Sequence, residues 1–136
     1  MIDPQRASAI AVIQGAPLSA LLGLKIEAAA DGSARIRLPF SENNLNAGGS
    51  SAPVHGGAIA ALIDTSACAA VWSLAETTRS ATVALSVNYV KAAIKVDLIA
   101  SAKVREKGRT IASLTVDVHD ARGQLIAHGL VTYKIA

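Results

Sequence analysis

Apolar positions change their spacing near residue 77. Upstream, helical and alternating segments are mixed; downstream, the chain alternates with period two almost to its end. Residues 3–14 predict a first helix, with Asp3 as N-cap, Pro4 at the first helical position and Ala7, Ile10 and Ile13 on one face. Gly15 closes it, Pro17 marks a turn, and Ser19–Leu22 predicts a short helical turn. Leu24–Ala30 and Ala34–Pro39 read as strands joined at Asp31-Gly32, a hairpin signal. Residues 40–54 are polar and glycine-rich, about as long as loops that carry function. Residues 55–76 then read as one long helix. Four period-two segments follow. Thr82–Val90 has Val83, Leu85, Val87 and Tyr89 on one face; Val96–Glu106 has Val96, Leu98, Ala100, Ala102 and Val104 in phase. Thr110–His119 and Gln124–Ile135 complete the set, with turns at Lys107-Gly108 and Asp120–Gly123.

This order predicts an α+β fold over residues 1–136, a single domain with a helix and turn at 1–17. The last four strands are expected to form an antiparallel meander. The long helix is too apolar for the surface and is expected to lie against the concave face of a curved sheet of about six strands. One such sheet leaves edges and an outer face open, so two copies are expected to pair. The hydrophobic fraction is 51% against 17% charged residues, which adds weight to a subunit interface. No apolar run of about 18 residues occurs, so no membrane span is predicted. The first residues lack the basic start and apolar core of a signal peptide, and the lone Cys68 has no internal disulfide partner; a reducing, cytoplasmic setting fits.

One position breaks the apolar helix. From His55-Gly56-Gly57 to Trp72, Asp64 is the only carboxylate. Burying an ionised carboxylate costs several kcal/mol unless it is paired, so Asp64 faces solvent, caps something or does chemistry. The three histidines do not stand at metal-ligand spacings and no cysteine cluster exists, so no metal is predicted. A Gly-x-Ser-x-Gly elbow and a phosphate-cradling glycine loop are both missing. His119 and His128 stand on strands without a partner pattern and read as structural or solvent-facing. The net charge of +3 is concentrated. Lys91, Lys95, Lys103, Arg105, Lys107 and Arg109 face only Asp97 and Glu106 between residues 91 and 109. With aromatics at 3%, base stacking on nucleic acid is poorly supported, and a phosphate-bearing small molecule is the better partner.

Several of these elements together resemble the hotdog-fold thioesterases, in particular the phenylacetic-acid-degradation (PaaI) type of acyl-CoA thioesterase. They are Asn46 in the loop, Val54-His55-Gly56-Gly57, Asp64-Thr65 nine residues after the histidine, and the strand Thr82 to Tyr89 ending in Asn-Tyr. The resemblance runs over roughly residues 18–135 and implies hydrolysis of an aryl- or medium-chain acyl-CoA to coenzyme A and a carboxylic acid, without metal or organic cofactor. It implies Asp64 as general base or nucleophile and the Gly56 N–H, at a helix N-terminus, as the group that polarises the thioester carbonyl. Asn46 would orient water or thioester, reaching the site across a dimer interface, and Thr82 would assist the water. His55 belongs to the same motif, either as a base or, as the residues favour, as a ring that fixes the loop. In the family the asparagine commonly precedes the histidine by six residues, whereas Asn46 precedes His55 by nine; Asn44 and Asn43 are therefore rivals. The resemblance further implies a homodimer or homotetramer, an acyl pocket around Ile63, Ala67 and Val71, and coenzyme A phosphates held by bases such as Lys91, Lys107 and Arg109. For any one of these bases a solvated strand face is an equal reading. The alternative function is a non-catalytic acyl-CoA or fatty-acid binding module on the same fold. A hydratase would want a paired Asp and His at short spacing, which the separation of His55 and Asp64 disfavours.

Overall fold

The computed structural model describes residues 1–136, in which the alternating segments form one six-stranded antiparallel sheet with a long helix laid across it. The elements are α1 (Ala7–Gln14), α2 (Pro17–Leu22), β1 (Lys25–Ala30), β2 (Ser33–Leu38), α3 (Gly56–Trp72), β3 (Ser80–Tyr89), β4 (Leu98–Lys107), β5 (Ile111–Asp120) and β6 (Leu125–Ile135). Strand order is β1-β2-β4-β5-β6-β3. The expected four-strand meander is thus corrected: only β4, β5 and β6 form one. β3 pairs with β6, and residues 90–97 carry the chain back across the sheet to β4 beside β2. Lys95, at φ 52°, turns the chain there and delays β4 to Leu98 rather than Val96.

Local chemistry explains the remaining boundaries. Asp3 accepts from the Gln5 N–H and Pro4 follows it, but the first turn is 3-10, so α1 proper starts at Ala7. Asp31 and Gly32 both have positive φ (51° and 81°), as a two-residue hairpin turn requires. α3 ends at Trp72, not at 76, because side chains take its last carbonyls. Ser73 Oγ donates to Ala70 O and Thr77 Oγ1 to Val71 O. Arg6 donates to the carbonyls of Trp72 (2.8 Å), Ala75 (3.4 Å) and Thr77 (2.9 Å) while lying over the Trp72 ring. These bonds replace the ladder that would have continued the helix, and they staple the N-terminal arm to the end of α3.

Ala58, Ile59, Leu62, Ile63, Ser66, Ala67, Ala70 and Val71 of α3 are buried. The small residues let the helix axis come close to the strands. The tightest approach is at Gly129 in β6, where an added Cβ would lie 2.7 Å from Ile63 Cγ2. Ile63 is fully buried and β-branched, so it has no room to yield. Gly129→Ala is expected to destabilise the fold by about 1–3 kcal/mol, the usual range for overpacking; denaturant unfolding measures it, and an unchanged midpoint would contradict the packing described.

β3 is the open edge. Nearly all its residues are exposed, and Val83, Leu85 and Tyr89, with Val90 and Ile94 just beyond, line it with apolar side chains. No helix in the molecule is long and apolar enough to cross a membrane.

Candidate functional site

Asp64 lies half-buried on α3, one residue, and so about 100° of helix rotation, away from the core-facing row Ile63–Ala67–Val71. Its neighbours on its own row are Cys68 and Trp72. Carboxylate Oδ1 accepts two hydrogen bonds, from Thr82 Oγ1 at 2.8 Å and from Tyr133 Oη at 2.7 Å; the phenol also lies 3.0 Å from the Asp64 carbonyl. Oδ2 has no partner in the chain. No partnerless side-chain oxygen is sealed from solvent, so Oδ2 reaches open space.

Thr82 reaches this position through a β-bulge. Leu85 stands opposite Val131, Ala84 opposite Thr132, and then Thr82 opposite Tyr133, with Val83 as the extra residue. Under strict alternation Thr82 would share a face with Ala84 and Ser86 and point away from α3. The bulge returns it to the face of Leu85, Val87 and Tyr89, and removes Val83 from the regular pairing that the sequence pattern predicted for it.

Beside Asp64 opens a cavity of about 530 Å³, walled by Val12, Ile13 and Leu18 of the N-terminal arm and by Thr65, Cys68 and Trp72 of α3, with Ser80 and Tyr133 from the sheet. Ile63, Ala67 and Val71, expected to line an acyl pocket, do not line it; they are fully buried against the sheet. Burial foremost, with Cys68 and Asp64 nearby, holds the Tyr133 phenol protonated well above its ordinary range. Burial likewise raises the Cys68 thiol. The Cys68 thiolate is therefore disfavoured, and the phenol is a standing donor to Asp64.

The other residues gather at the start of α3. His55 is its N-cap: Nδ1 accepts from the Gly57 N–H at 2.7 Å. That bond occupies the ring nitrogen facing the helix and fixes the loop. The Gly56 N–H has no partner in the chain, leaving an open donor at the positive end of a helix dipole. Gly56 O accepts from Tyr89 Oη at 2.6 Å, and an added Cβ would meet the Tyr89 ring at 3.3 Å. Leu45 and Val54 form a bridge that closes the loop, so Gly48 to Ala52 bud outward and Asn46 stays beside Pro53. Asn46 and Gly56 therefore line one cavity of about 330 Å³ despite their separation in sequence. Asn44 is instead buried, its side-chain amide donating to Leu22 O and its main-chain carbonyl accepting from the His55 N–H. Asn43 is exposed beyond the bridge.

Asp64 and Gly56 stand eight residues apart on α3, about 12 Å along the axis, and face different cavities. One chain does not bring them together. Nor do the candidate bases converge. Lys91 borders the Asn46–Gly56 cavity. Lys107 pairs with Glu76 at 3.0 Å, which lowers the glutamate's pKa, and Arg109 is exposed in the next turn. The rung Tyr89–Ala127 lies six residues along β6 from the rung through Lys107, Ala112 and Tyr133, about 20 Å. His128, read as structural or solvent-facing, meets Asp117 across strands on the outer face. No three His, Cys, Asp or Glu side chains converge. Sequence reasoning passed over Tyr133 and gave Tyr89, noted only as the end of the strand motif, no role; only the strand register brings them to Asp64 and Gly56.

Residues 53–127, more than half of the chain, match the family model described as the thioesterase superfamily. A candidate esterase of Halobacterium salinarum is 37% identical over 127 residues, spanning 87% of this chain and 83% of that protein. The PaaI protein of the E. coli phenylacetic acid degradation operon superposes with a TM-score of 0.82 at 19% identity, over 97% of this chain and 94% of that one. A hypothetical thioesterase from Streptococcus pneumoniae, solved with coenzyme A, superposes with a TM-score of 0.75 at 24% identity, over 83% and 85% of the two chains. These two likenesses speak for the architecture, a hotdog fold of central helix and wrapping sheet. The family match and the close relative together carry the assignment: this chain belongs to the thioesterase superfamily.

Proposed function

We propose that this protein is an acyl-CoA thioesterase that acts as a homodimer, with Asp64 as general base. The observation that carries the reading is the Asp64 carboxylate, held through Oδ1 with Oδ2 free, at the mouth of an apolar cavity. Water attacks the thioester carbonyl carbon while its proton passes to Asp64 Oδ2. The oxyanion that forms takes the free Gly56 N–H. Collapse breaks the C–S bond, and the departing thiolate of coenzyme A recovers the proton from Asp64. General-base assistance and an N–H donor to the oxyanion are each worth about two or more orders of magnitude in rate.

The mechanism needs Asp64 and Gly56 within reach of one carbonyl, and the β3 edge supplies a way. Thr82, which touches Asp64, and Tyr89, which touches Gly56, stand near opposite ends of β3. Antiparallel pairing of two β3 edges about an axis near Leu85 and Ser86 would set Thr82 of one copy opposite Tyr89 of the other. Gly56 and Asn46 of one copy would then face Asp64 of its partner. This pairing also satisfies the open backbone groups of the edge and covers its apolar side chains.

Coenzyme A as the thiol half draws support from the Streptococcus pneumoniae relative solved with it. Lys91, beside Gly56, is the base best set to meet its phosphates. The acyl half is apolar: the cavity beside Asp64 is lined by no lysine or arginine, so an anionic tail would be buried without a counter-charge. Its volume suits a medium-chain or aryl group. The test is thiol release from acetyl-, octanoyl- and phenylacetyl-CoA. Turnover that favours the two larger groups supports the reading; binding without turnover on all three would make the protein an acyl-CoA binding module instead. Ala9 of α1 borders the cavity, and Ala9→Phe is expected to lower the octanoyl-to-acetyl ratio of kcat/KM by about tenfold, the cost of roughly one displaced methylene or more. An unchanged ratio would move the acyl group elsewhere.

A further inference from the structure

We infer that Tyr133 is a positioning residue for Asp64: with Thr82 it captures Oδ1 and so dedicates Oδ2 to the reacting water. This rests on the thioesterase reading above and goes beyond it in assigning a role to a β6 side chain. Tyr133 is 3% exposed and its hydroxyl reaches Asp64, touching both the main-chain carbonyl (3.0 Å) and Oδ1 (2.7 Å). A buried phenol needs one partner to be satisfied, and the carbonyl would serve. The one O–H is shared and is shorter to Oδ1, so the rigidly held hydroxyl fixes the carboxylate beside its own main-chain carbonyl and leaves it little freedom to rotate. Thr82 lands on the same oxygen from the facing strand.

The sheet is distorted in a way that produces this arrangement. The Val83 bulge interrupts the β3–β6 ladder, and its consequence is to set Thr82 directly opposite Tyr133, two hydroxyls on one rung beneath the carboxylate. Bulges are where sheets re-aim a side chain at some cost in regular pairing. With both donors on Oδ1, the lone pairs of Oδ2 are the ones left to accept a proton from water, and Oδ2 is open to solvent. A carboxylate free to swing would offer either oxygen at poorly defined distances, and misplacement by about an ångström can cost two orders of magnitude in rate.

The experiment compares thiol release by the protein in four forms: wild type, Tyr133→Phe, Asp64→Asn and the double variant, with octanoyl-CoA. Phenylalanine keeps the buried ring and removes only the hydroxyl. The expected result is a kcat about tenfold lower for Tyr133→Phe, KM within about twofold of wild type, and no further loss from Tyr133→Phe once Asp64 is asparagine, because residues that act through one another are not additive. A structural tyrosine would lower activity equally in both backgrounds, in proportion to the folded fraction read by circular dichroism. Equal losses in the two backgrounds, a loss confined to KM, or unchanged kcat in an active wild type would each overturn this role while leaving the thioesterase reading standing. A wild type inactive on every thioester would overturn the reading itself and this role with it.

Discussion

Asp64→Asn is expected to reduce kcat/KM for acyl-CoA hydrolysis by about a hundredfold or more, the size of effect that follows loss of a general base. The change is nearly isosteric. The amide oxygen still accepts from Thr82 and Tyr133, which touch Oδ1 at 2.8 and 2.7 Å, so the side chain keeps its place and the fold its stability. What disappears is a group able to accept a proton at Oδ2. Steady-state thiol release with the best acyl-CoA of the panel, alongside circular dichroism of both proteins, measures this. A drop of that size with intact secondary structure places the chemistry at Asp64. Turnover left unchanged would keep the activity and remove Asp64 from its centre.

Leu85→Lys is expected to produce a folded but inactive monomer. Leu85 lies on the unpaired edge strand, 37% exposed, opposite Val131 and near the middle of β3. In an isolated chain a lysine there can lay its methylene stem over the same apolar surface and carry its charge into solvent. In a dimer joined through β3, two such charges would meet close to the symmetry axis, and edge lysines are a recurrent means of preventing strand pairing. Asp64 and Gly56 lie about 12 Å apart along one helix and open into separate cavities, so if the proposed site needs both, a monomer holds only half of it. Sedimentation should report a single-chain mass for the variant and at least twice that for wild type. Thiol release should fall about a hundredfold or more, as when an oxyanion donor is lost. A variant that becomes monomeric and stays fully active would mean that one chain suffices, and the two-copy site would be wrong.

The two halves of this site were unequally legible. His55-Gly56-Gly57 opening an apolar run with a solitary Asp64 stands out because both signals are local: a cap, a helix N-terminus and a charge where a charge is costly. Asn46 was harder, since its nine-residue distance from His55 hides a bridge that pinches out the intervening glycines and serines. Asn44, a rival in sequence with Asn43, is a buried structural amide. The expectation of a cavity around Ile63, Ala67 and Val71 missed the one beside Asp64 by one helical position. α3 is apolar on nearly every side, so no hydrophobic stripe tells the face of Ile63, Ala67 and Val71 from that of Asp64, Cys68 and Trp72.

By itself the sequence determined what depends on near neighbours. The Asp3 cap, the Asp31-Gly32 turn, the long apolar helix and the period-two strands all follow from dihedral preference and from the need of apolar faces to be covered. These local rules also settled the fold class and the expectation of an edge that wants a partner. Only the tertiary structure decided which strands pair. β3 crosses past the meander to β6, and a single extra residue at Val83 reverses the face of Thr82 without disturbing the alternation of residue types. That choice of partner and register brings Tyr133 under Asp64 from 69 residues away. Pairing of this kind is set by the summed packing of whole strands against α3, a long-range balance that no local pattern encodes.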